Sequence, residues 1–395
     1  DGERLQALIK DLNDLAQSVK KEINESLTET TSRISNNINN VFEEYSVDIK
    51  SEAGKIDADK IIASGSHIMI NDPNGGAFPL ENQGAGLQRT FMWSAIEALA
   101  QNGSYKNGRK KIPGETPKML LIEEPEVFLH PPAIRKARET LFQIAELENW
   151  QIMITTHSPV FIDVSKPHTT IIRVEKEYGD STRTFSTDEA HFDEDERQRL
   201  RMIRACHPTI NEFFFHNKVY LVEGETELAV LNHIKNLREI YDVHVVNCFG
   251  KGNIPMFQKI LNHFGVHYTV IHDVDSPKVK RNGKWIVNPM WTLNERIFNA
   301  AFHGTENNKI IANFPDFGLQ YFGRLQKNDK PYHALKKIAD PLFMGTDQHN
   351  ELLNLLNDDF LSQHCRKINN PNDYEDMVNE NIDYGRINQP EKWEI

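Results

Sequence analysis

The chain has 395 residues, a formal net charge of -12 and three scattered cysteines, Cys206, Cys248 and Cys365. This length predicts two or three domains with buried cores. The acidic balance excludes the overall basic footprint of DNA-binding modules, although metal ions or a local basic patch allow an acidic chain to bind nucleic acid. Cysteines without zinc-site spacing favour a reduced, cytoplasmic setting, and no segment predicts a signal peptide or a membrane span.

Residues 1–50 carry apolar side chains at intervals of three and four, which predicts amphipathic helices. A core-facing helix and a helical dimer interface both fit this pattern, and the second implies a homo-oligomer. The chain opens with Asp1 inside helix-like sequence. We therefore expect an N-terminal part of the protein to be missing.

Three motifs follow in a region where predicted strands and helices alternate, as in a parallel α/β sheet. Asn82–Phe91, NQGAGLQRTF, is a glycine-rich turn that enters a helix, and the start of a helix binds phosphate well. Leu120–Glu126, LLIEEPE, is an apolar strand that ends in acids, which a P-loop ATPase uses for Mg²⁺ and for orienting water. Ile154–Pro159, ITTHSP, is a strand that ends in a histidine. Each motif alone also fits a helix cap or a structural histidine.

In this order the motifs resemble the second half of an ABC-type ATPase head of the SMC/RecF kind. The resemblance implies ATP as a cofactor, with a Walker B pair, a switch histidine and a signature loop at Glu123 and Glu124, at His157, and at Gly84, Gly86 and Gln88. The family's usual first acid is Asp, whereas this chain has Glu. The Walker A pattern is absent, and its nearest match, GSYKNGRK from Gly103, reads as an exposed loop. We expect that half to lie upstream, so this chain alone should hydrolyse ATP poorly.

A second group of acids follows two predicted strands of a βαβαβ unit. Val219–Val222 leads into Glu223-Gly-Glu-Thr-Glu227, and the strand of HYTVIHDVDS leads into Asp273-Val-Asp275. Ligands bind at the carboxyl ends of parallel strands, and Glu227 returns to the side of Glu223 after one helical turn. Alternate residues of an extended segment point the same way, so Asp273 and Asp275 should face one ligand. Oxygen-rich sites of this kind suit Mg²⁺ or Mn²⁺.

Simpler readings exist for the same residues. Acids such as Glu225 and Glu227 are favourable at a helix N-terminus, and the two aspartates also fit a turn. Gly250–Asn253, at the next strand end, fits a phosphate contact and a plain turn equally. We expect Glu225, which points elsewhere on the first helical turn, to be dispensable.

Together on one βαβαβ unit, VEGETE and HDVDS resemble a Toprim domain. An ABC head half followed by a Toprim domain resembles the overcoming-lysogenization-defect (OLD) family of nucleases, over about residues 61–337. The nearest class is the one associated with a UvrD-like helicase, including Gabija-type antiphage proteins. The resemblance implies cleavage of DNA with two Mg²⁺ or Mn²⁺ ions, control by the ATPase head, and a UvrD-like helicase as a partner.

Carried over residue by residue, the resemblance implies metal ligands at Glu223, Glu227, Asp273 and Asp275, with help from Ser276 and Asp316. Family members more often show Glu near the last position. Lys330 resembles the lysine that stabilises charge on the reacting phosphate, although an ordinary surface lysine also fits.

The sequence thus predicts an α/β protein in four parts: a helical segment at 1–50, an ATPase C-terminal half at 51–205, a connector at 206–216, and a Toprim domain with a helical C-terminal extension at 217–395. Two rival functions stay open. One is a topoisomerase- or primase-type Toprim enzyme, for which no transesterifying tyrosine is identifiable. The other is a non-catalytic DNA clamp or scaffold of the recombination-mediator kind.

Overall fold

The computed structural model of this chain describes residues 14–15, 18–21, 28, 31–38, 46–51, 66–71, 75–102, 105–107, 110–112, 116–163, 169–176, 182–186, 193–198, 201, 210–216, 218–302, 308–323, 325–326, 328–357, 366–368 and 370–393. The chain forms two compact units, residues 1–161 and residues 162–395. Among the described residues, no helix combines the length and apolar character that crossing a bilayer requires.

The described part of the first unit contains three small sheets and two long helices. An antiparallel sheet has the order β1 (Ser46–Ser51), β2 (Ser66–Asn71), β3 (Ala77–Pro79). Helix α1 (Ala85–Asn102) precedes an antiparallel hairpin of β4 (Tyr105–Asn107) and β5 (Lys110–Ile112). Strand β6 (Lys118–Glu123) then pairs in parallel with β7 (Trp150–Thr155) across helix α2 (Pro131–Ala145). Proline at the start of α2 suits its first turn, where no backbone donor is needed.

Two sequence expectations for this unit are corrected by the structure. Residues 31–38 are helical as predicted, but Ser46–Ser51 is a strand, because Val47 is buried against Ile70 in register with β2. The polar segment after α1, predicted as a loop, contains the β4–β5 hairpin. The predicted apolar stripe at Leu5, Leu8 and Leu12 lies outside the described residues.

The second unit is built on a five-stranded sheet with the order β11 (Val243–Asn247), β10 (Lys218–Val222), β12 (Tyr268–Asp273), β15 (Lys309–Asn313), β16 (Arg366–Ile368). The first four strands are parallel, and β16 is antiparallel to β15. Strands β10, β12 and β15 are mostly apolar and are buried along most of their length, as expected for parallel strands covered on both faces. The mixed α/β class predicted from the sequence is confirmed.

Helices cover both faces of this sheet. One face packs against α4 (Ile254–His263), α5 (Pro289–Phe302) and the helical turn Ile210–Phe215. The other packs against α3 (Glu225–Arg238), α6 (Lys330–Ile338), α7 (Asp347–Leu353) and the π-helical turn Gly318–Phe322. Two hairpins and two C-terminal helices also lie in the described part of this unit: β8 (Ile172–Glu175) with β9 (Arg183–Ser186), β13 (Lys278–Arg281) with β14 (Lys284–Val287), α8 (Pro371–Asn388) and α9 (Pro390–Trp393).

The β8–β9 hairpin belongs to the second unit. The Arg173 guanidinium donates to the backbone carbonyls of Phe214 and Phe264, and the Phe185 ring occupies the space beside Gly265. The compact units therefore divide at 161/162, whereas the sequence places the end of the ATPase half at 205.

Candidate functional site

The carboxyl ends of the parallel strands bring the predicted acids to one edge of the second unit's sheet. Val222 is level with Asn247 on β11 and with Ile271 on β12, and Asp273 is level with Asn313 on β15. Glu223 follows Val222 directly, so it lies at the same edge as Asp273. Because paired positions of neighbouring strands face the same side, the Asp273 and Asn313 side chains share one face of the sheet.

Backbone donors hold the two central carboxylates. The Asp273 backbone N–H donates to Glu223 Oε1 at 2.7 Å, and the Phe317 N–H donates to Asp273 Oδ1 at 2.7 Å. The first bond joins the ends of β10 and β12 directly. The Glu223 carboxylate is therefore held by the end of β12, and the Asp273 carboxylate is held by the segment that follows β15.

Glu227 has two roles in the structure, since it caps the start of α3 and also faces the other acids. Its Oε2 accepts a hydrogen bond from the Gly224 N–H at 3.1 Å, as the third residue of a helix does in a capping box. Asp316 and Lys330 both act electrostatically on the Glu227 carboxyl, so the structure brings these three predicted residues together. Lys330 is exposed at the first position of α6.

The expected geometry of Asp273-Val-Asp275 is wrong in one respect. Strand β12 ends at Asp273, and Asp275 has φ 63°, so the segment is not extended. The two aspartate side chains therefore do not point the same way as residues two apart in a strand would. Instead Asp275 Oδ2 pairs with Lys251 Nζ at 2.8 Å, and the same ammonium donates to the Asp273 carbonyl. Asp275 still acts electrostatically on Glu223, so it remains within the cluster.

Lys251 lies at the acidic edge, in the segment for which the sequence fitted a plain turn and a phosphate contact equally. Its side chain is only 1% exposed, which is rare for a lysine unless the charge is paired. It lies in the predicted Gly250–Asn253 segment, in a turn where Gly250 has φ 110°, a conformation that favours glycine. The segment is therefore more than a turn, because it delivers a buried cation to the carboxylates.

Burial and mutual repulsion shift the carboxyl groups toward their protonated forms. Burial raises the pKa of Glu223 to about 7, while Lys251 opposes the rise. Burial also raises the pKa of Asp273 well above its usual range, with the Glu223 and Glu227 carboxylates adding to it. Burial raises the pKa of Glu227 in the same way. Groups in such an environment gain from a nearby cation.

The acids form an electrostatic cluster rather than a finished coordination shell. Among the described residues, no three His, Cys, Asp or Glu side chains have the arrangement of a ready metal site. Glu223, Glu227, Asp273 and Asp275 each hold a protein hydrogen-bond partner instead. Each of these bonds uses one oxygen of its carboxylate, so a cation can be bound through the other oxygen without breaking them.

One unsatisfied group supports the fit of a hydrated cation at this edge. Asn313 is fully buried at the end of β15, and within the described part of the chain neither its Oδ1 nor its Nδ2 has a hydrogen-bond partner. A buried amide without partners is costly, so a water or an ion with its water shell would satisfy it. The oxygen-rich donor set and this orphan amide both fit a hard divalent cation. The sequence offered no signal for Asn313 beyond its place at a strand end.

The remaining two residues of this region differ from the cluster. Ser276 Oγ donates to the Lys278 carbonyl at 3.1 Å, and the described contacts of Ser276 do not include the carboxylates. Glu225 is exposed on the first turn of α3, in keeping with its expected separation from Glu223 and Glu227.

The first unit brings together part of the predicted ATPase residues. Glu123 ends β6 level with Thr155, and Glu124 follows with φ 43°. Glu124 Oε1 lies 3.6 Å from His157 Nε2, and the His157 side chain is 81% exposed. An exposed histidine beside the acid is the arrangement that a phosphate sensor needs.

Glu126, which the sequence did not single out, organises the histidine loop. Its Oε1 accepts hydrogen bonds from Thr156 Oγ1 and from the His157 backbone N–H, both at 2.7 Å. The third acid of LLIEEPE thereby fixes the end of β7 to the end of β6.

The glycine-rich loop forms the start of α1 as predicted. The Gly84 carbonyl accepts the first backbone bonds of the helix, and Gln88 Nε2 donates to the Gln83 carbonyl at 2.8 Å. A Cβ at Gly86 would lie 3.0 Å from the Phe128 carbonyl oxygen, so this approach favours glycine.

The two units thus define a class of protein, an ATPase-type unit followed by a Toprim-type unit with an acidic edge. Comparison with known families agrees with this. An AAA ATPase domain model matches residues 2–162, and the model for the TOPRIM domain of overcoming-lysogenization-defect-like proteins matches residues 214–275. The chain contains both domains in this order.

Individual similar proteins indicate a family more specifically than the two domain models do. The OLD nuclease of Thermus scotoductus is 26% identical over 202 residues, which cover 50% of this chain and 36% of that protein. The Old nuclease of Escherichia phage P2 is 25% identical over 260 residues, 64% of this chain and 43% of that protein. The resemblance to OLD family nucleases is confirmed, and the chain spans less than half the length of either relative. A solved Smc head domain from Pyrococcus yayanosii, 13% identical, covers 51% of this chain and 34% of that one with a TM-score of 0.32.

Proposed function

We propose that this protein is a divalent-metal-dependent DNA nuclease whose active site is the acidic edge of the second unit. One observation carries the proposal: at least four carboxylates from separate elements influence one another at the carboxyl edge of a parallel sheet. Mutually repelling, buried carboxylates of this kind are characteristic of functional sites, and a bound cation relieves their repulsion. The Toprim match and the two OLD nucleases support phosphodiester cleavage as that use.

In this proposal Glu223, Glu227, Asp273 and Asp275 hold Mg²⁺ or Mn²⁺, with Asp316 at the margin. A pair of divalent ions, when bound, activates water and stabilises the leaving oxygen. The chain's own part is positioning: the backbone bonds from Asp273 and Phe317 fix two carboxylates before substrate arrives. Lys330, exposed beside Glu227, contacts the scissile phosphate.

The test is cleavage of plasmid and linear DNA with Mg²⁺ or Mn²⁺, together with Mn²⁺ binding by calorimetry. Glu223→Gln should lose cleavage by at least 100-fold and weaken Mn²⁺ binding. Glu225→Gln, two residues away and exposed, is the matched control and should retain both. Unchanged cleavage in Glu223→Gln would sink the proposal, and equal loss in both variants would disprove the assigned division of labour.

Two other results would move the function to a rival class. A covalent protein–DNA adduct would identify a topoisomerase-type reaction, and DNA binding without cleavage under any divalent ion would identify a scaffold. Cleavage of DNA with no adduct supports the nuclease.

We further propose that ATP, bound at the first unit with a Walker A loop supplied by a part of the protein outside this sequence, regulates cleavage. The pairing of Glu124 with exposed His157 supports a role at the γ-phosphate. Cleavage rates of a longer protein that includes that loop, measured with and without ATP, should differ. The difference should disappear in His157→Ala.

A role in antiphage defence, a homo-oligomeric state and a UvrD-like helicase partner belong to the same proposal, as does a cytoplasmic location. They rest on the OLD resemblance and not on contacts in this chain. Co-purification of the helicase with the protein from its native host is the direct test of the partner.

A further inference from the structure

A short basic hairpin leaves the acidic edge directly after the candidate metal ligands. Strands β13 and β14 span residues 278–287, KVKRNGKWIV, which contain four cations and no acid. The whole chain carries a net charge of -12, so the other 385 residues carry -16. The hairpin is therefore a local reversal of charge in an acidic protein.

The hairpin has a defined shape. Its turn is Asn282-Gly283, with φ values of 49° and 78°, which suits a two-residue hairpin turn. The register pairs Arg281 with Lys284 and Lys280 with Trp285. Lys280 Nζ lies 5.6 Å from the centre of the Trp285 ring, so the aromatic face orients the ammonium group.

Hydrogen bonds fix the base of the hairpin to the acidic edge. Ser276 Oγ donates to the Lys278 carbonyl at 3.1 Å, and Asn288 closes the other end through bonds to the carbonyls of Ser276 and Pro277 at 2.8 and 2.7 Å. Lys278 is three residues from Asp275, a span of at most about 11 Å. The four-residue strands extend about 13 Å further. By these lengths Lys278 lies within about 11 Å of Asp275, and the tip of the hairpin lies within about 24 Å of it.

The four cations are not used in ion pairs within the described part of the chain. Lys280, Arg281 and Lys284 are exposed, and none of them, nor Lys278, forms an ion pair with a described carboxylate. Solvated surface charges would explain each one singly. They do not explain why four share a fixed hairpin at the edge of a carboxylate cluster whose field repels phosphate.

We propose that the β13–β14 hairpin binds the phosphate backbone of the DNA strand that enters the site, with Trp285 supporting the Lys280 contact. This inference rests on the proposed function, because it names the surface through which the same site receives its substrate. The hairpin supplies the local positive field that an acidic chain lacks, and backbone contacts of this kind carry no sequence preference.

The test compares two charge-matched double variants of the 395-residue chain. Lys280→Gln/Lys284→Gln removes two hairpin cations. Lys218→Gln/Arg238→Gln removes two exposed cations from the opposite end, since Lys218 begins β10 and Arg238 ends α3, about 20 Å from its start. Duplex DNA binding is measured by fluorescence anisotropy at several salt concentrations. EDTA is present throughout, so that no metal ion bridges the protein and the DNA. Melting temperatures show whether each variant is folded.

Each phosphate contact contributes about 0.9 to the slope of log K against log salt, which is about 8-fold in affinity at 0.1 M. The hairpin variant should therefore bind roughly 60-fold more weakly, with a slope less negative by about 1.8, while the control retains the wild-type slope. Equal effects in both variants would show general attraction and overturn the proposal, as would an unchanged slope in the hairpin variant. Loss of hairpin-dependent binding and loss of cleavage are separable, because binding is measured without metal and cleavage with it.

Discussion

Replacement of Lys251 by methionine tests whether a built-in cation balances the carboxylates in the metal-free protein. The ammonium pairs with Asp275 at 2.8 Å and is 1% exposed, while the Asp275 side chain is 32% exposed. Removing one partner of a buried pair costs about 3–5 kcal/mol because the other charge is left uncompensated. Since water reaches part of Asp275, we expect about 2–3 kcal/mol here.

The matched control is Lys259→Met. Lys259 pairs with Glu196 at 2.7 Å, but its side chain is 43% exposed, so the loss should stay below about 1 kcal/mol. For a unit of this size, about 2–4 °C accompany each kcal/mol, and Lys251→Met should lower the melting temperature by about 5–10 °C in EDTA. Saturating Mn²⁺ should recover most of the loss, because the ion replaces the missing charge.

A double variant separates charge from packing. If the pair is the cause, Lys251→Met/Asp275→Asn should be more stable than Lys251→Met alone. The reasoning is refuted if Lys251→Met melts like wild type in EDTA. It is also refuted if the loss persists unchanged with Mn²⁺ and with Asp275→Asn, since that outcome indicates only lost packing.

Other predictions concern pH and the first unit. Because the pKa of Glu223 in the folded protein is raised to about 7, its contribution to stability is complete below pH 4.5 and is lost as pH rises through 7. Melting curves in EDTA should show this loss as about 3 kcal/mol. The pH dependence should be flatter in Glu223→Gln. Burial, with the stacked His216 imidazole, lowers the pKa of His244 to about 4, so melting temperature should fall as pH drops from 6.5 to 4, less steeply in His244→Gln. Glu126→Ala removes two hydrogen bonds and should cost about 2 kcal/mol, with faster amide exchange at His157; unchanged exchange there would contradict it.

The strand ends could be predicted from the sequence, since an apolar run followed abruptly by acids fixes where a buried strand stops. That reasoning located Glu223 and Asp273 at one edge, and it separated exposed Glu225 from Glu227. Periodicity requires only local spacing, which the sequence displays directly. The roles of these residues stay predictions.

The partners of the acids could not be predicted in the same way. Lys251 reaches Asp275 because Gly250 and Asp275 both have positive φ, and neither conformation follows from residue type alone. Assuming an extended Asp-Val-Asp therefore gave the wrong direction for Asp275. Asn313 depends on the register of β15 against β12, a long-range pairing that no local pattern specifies. The strand at Ser46–Ser51 was missed because helical spacing upstream concealed a short alternation.

Glu126 gives the histidine loop of the first unit a mechanical property. One carboxylate oxygen of Glu126 accepts hydrogen bonds from both Thr156 and the His157 backbone. Glu126 lies only two residues beyond Glu124. The turn that carries Glu124 and the loop that carries His157 are therefore mechanically coupled through Glu126. A displacement of the Thr156–His157 segment must therefore either carry the turn after β6 with it or break both hydrogen bonds to Glu126.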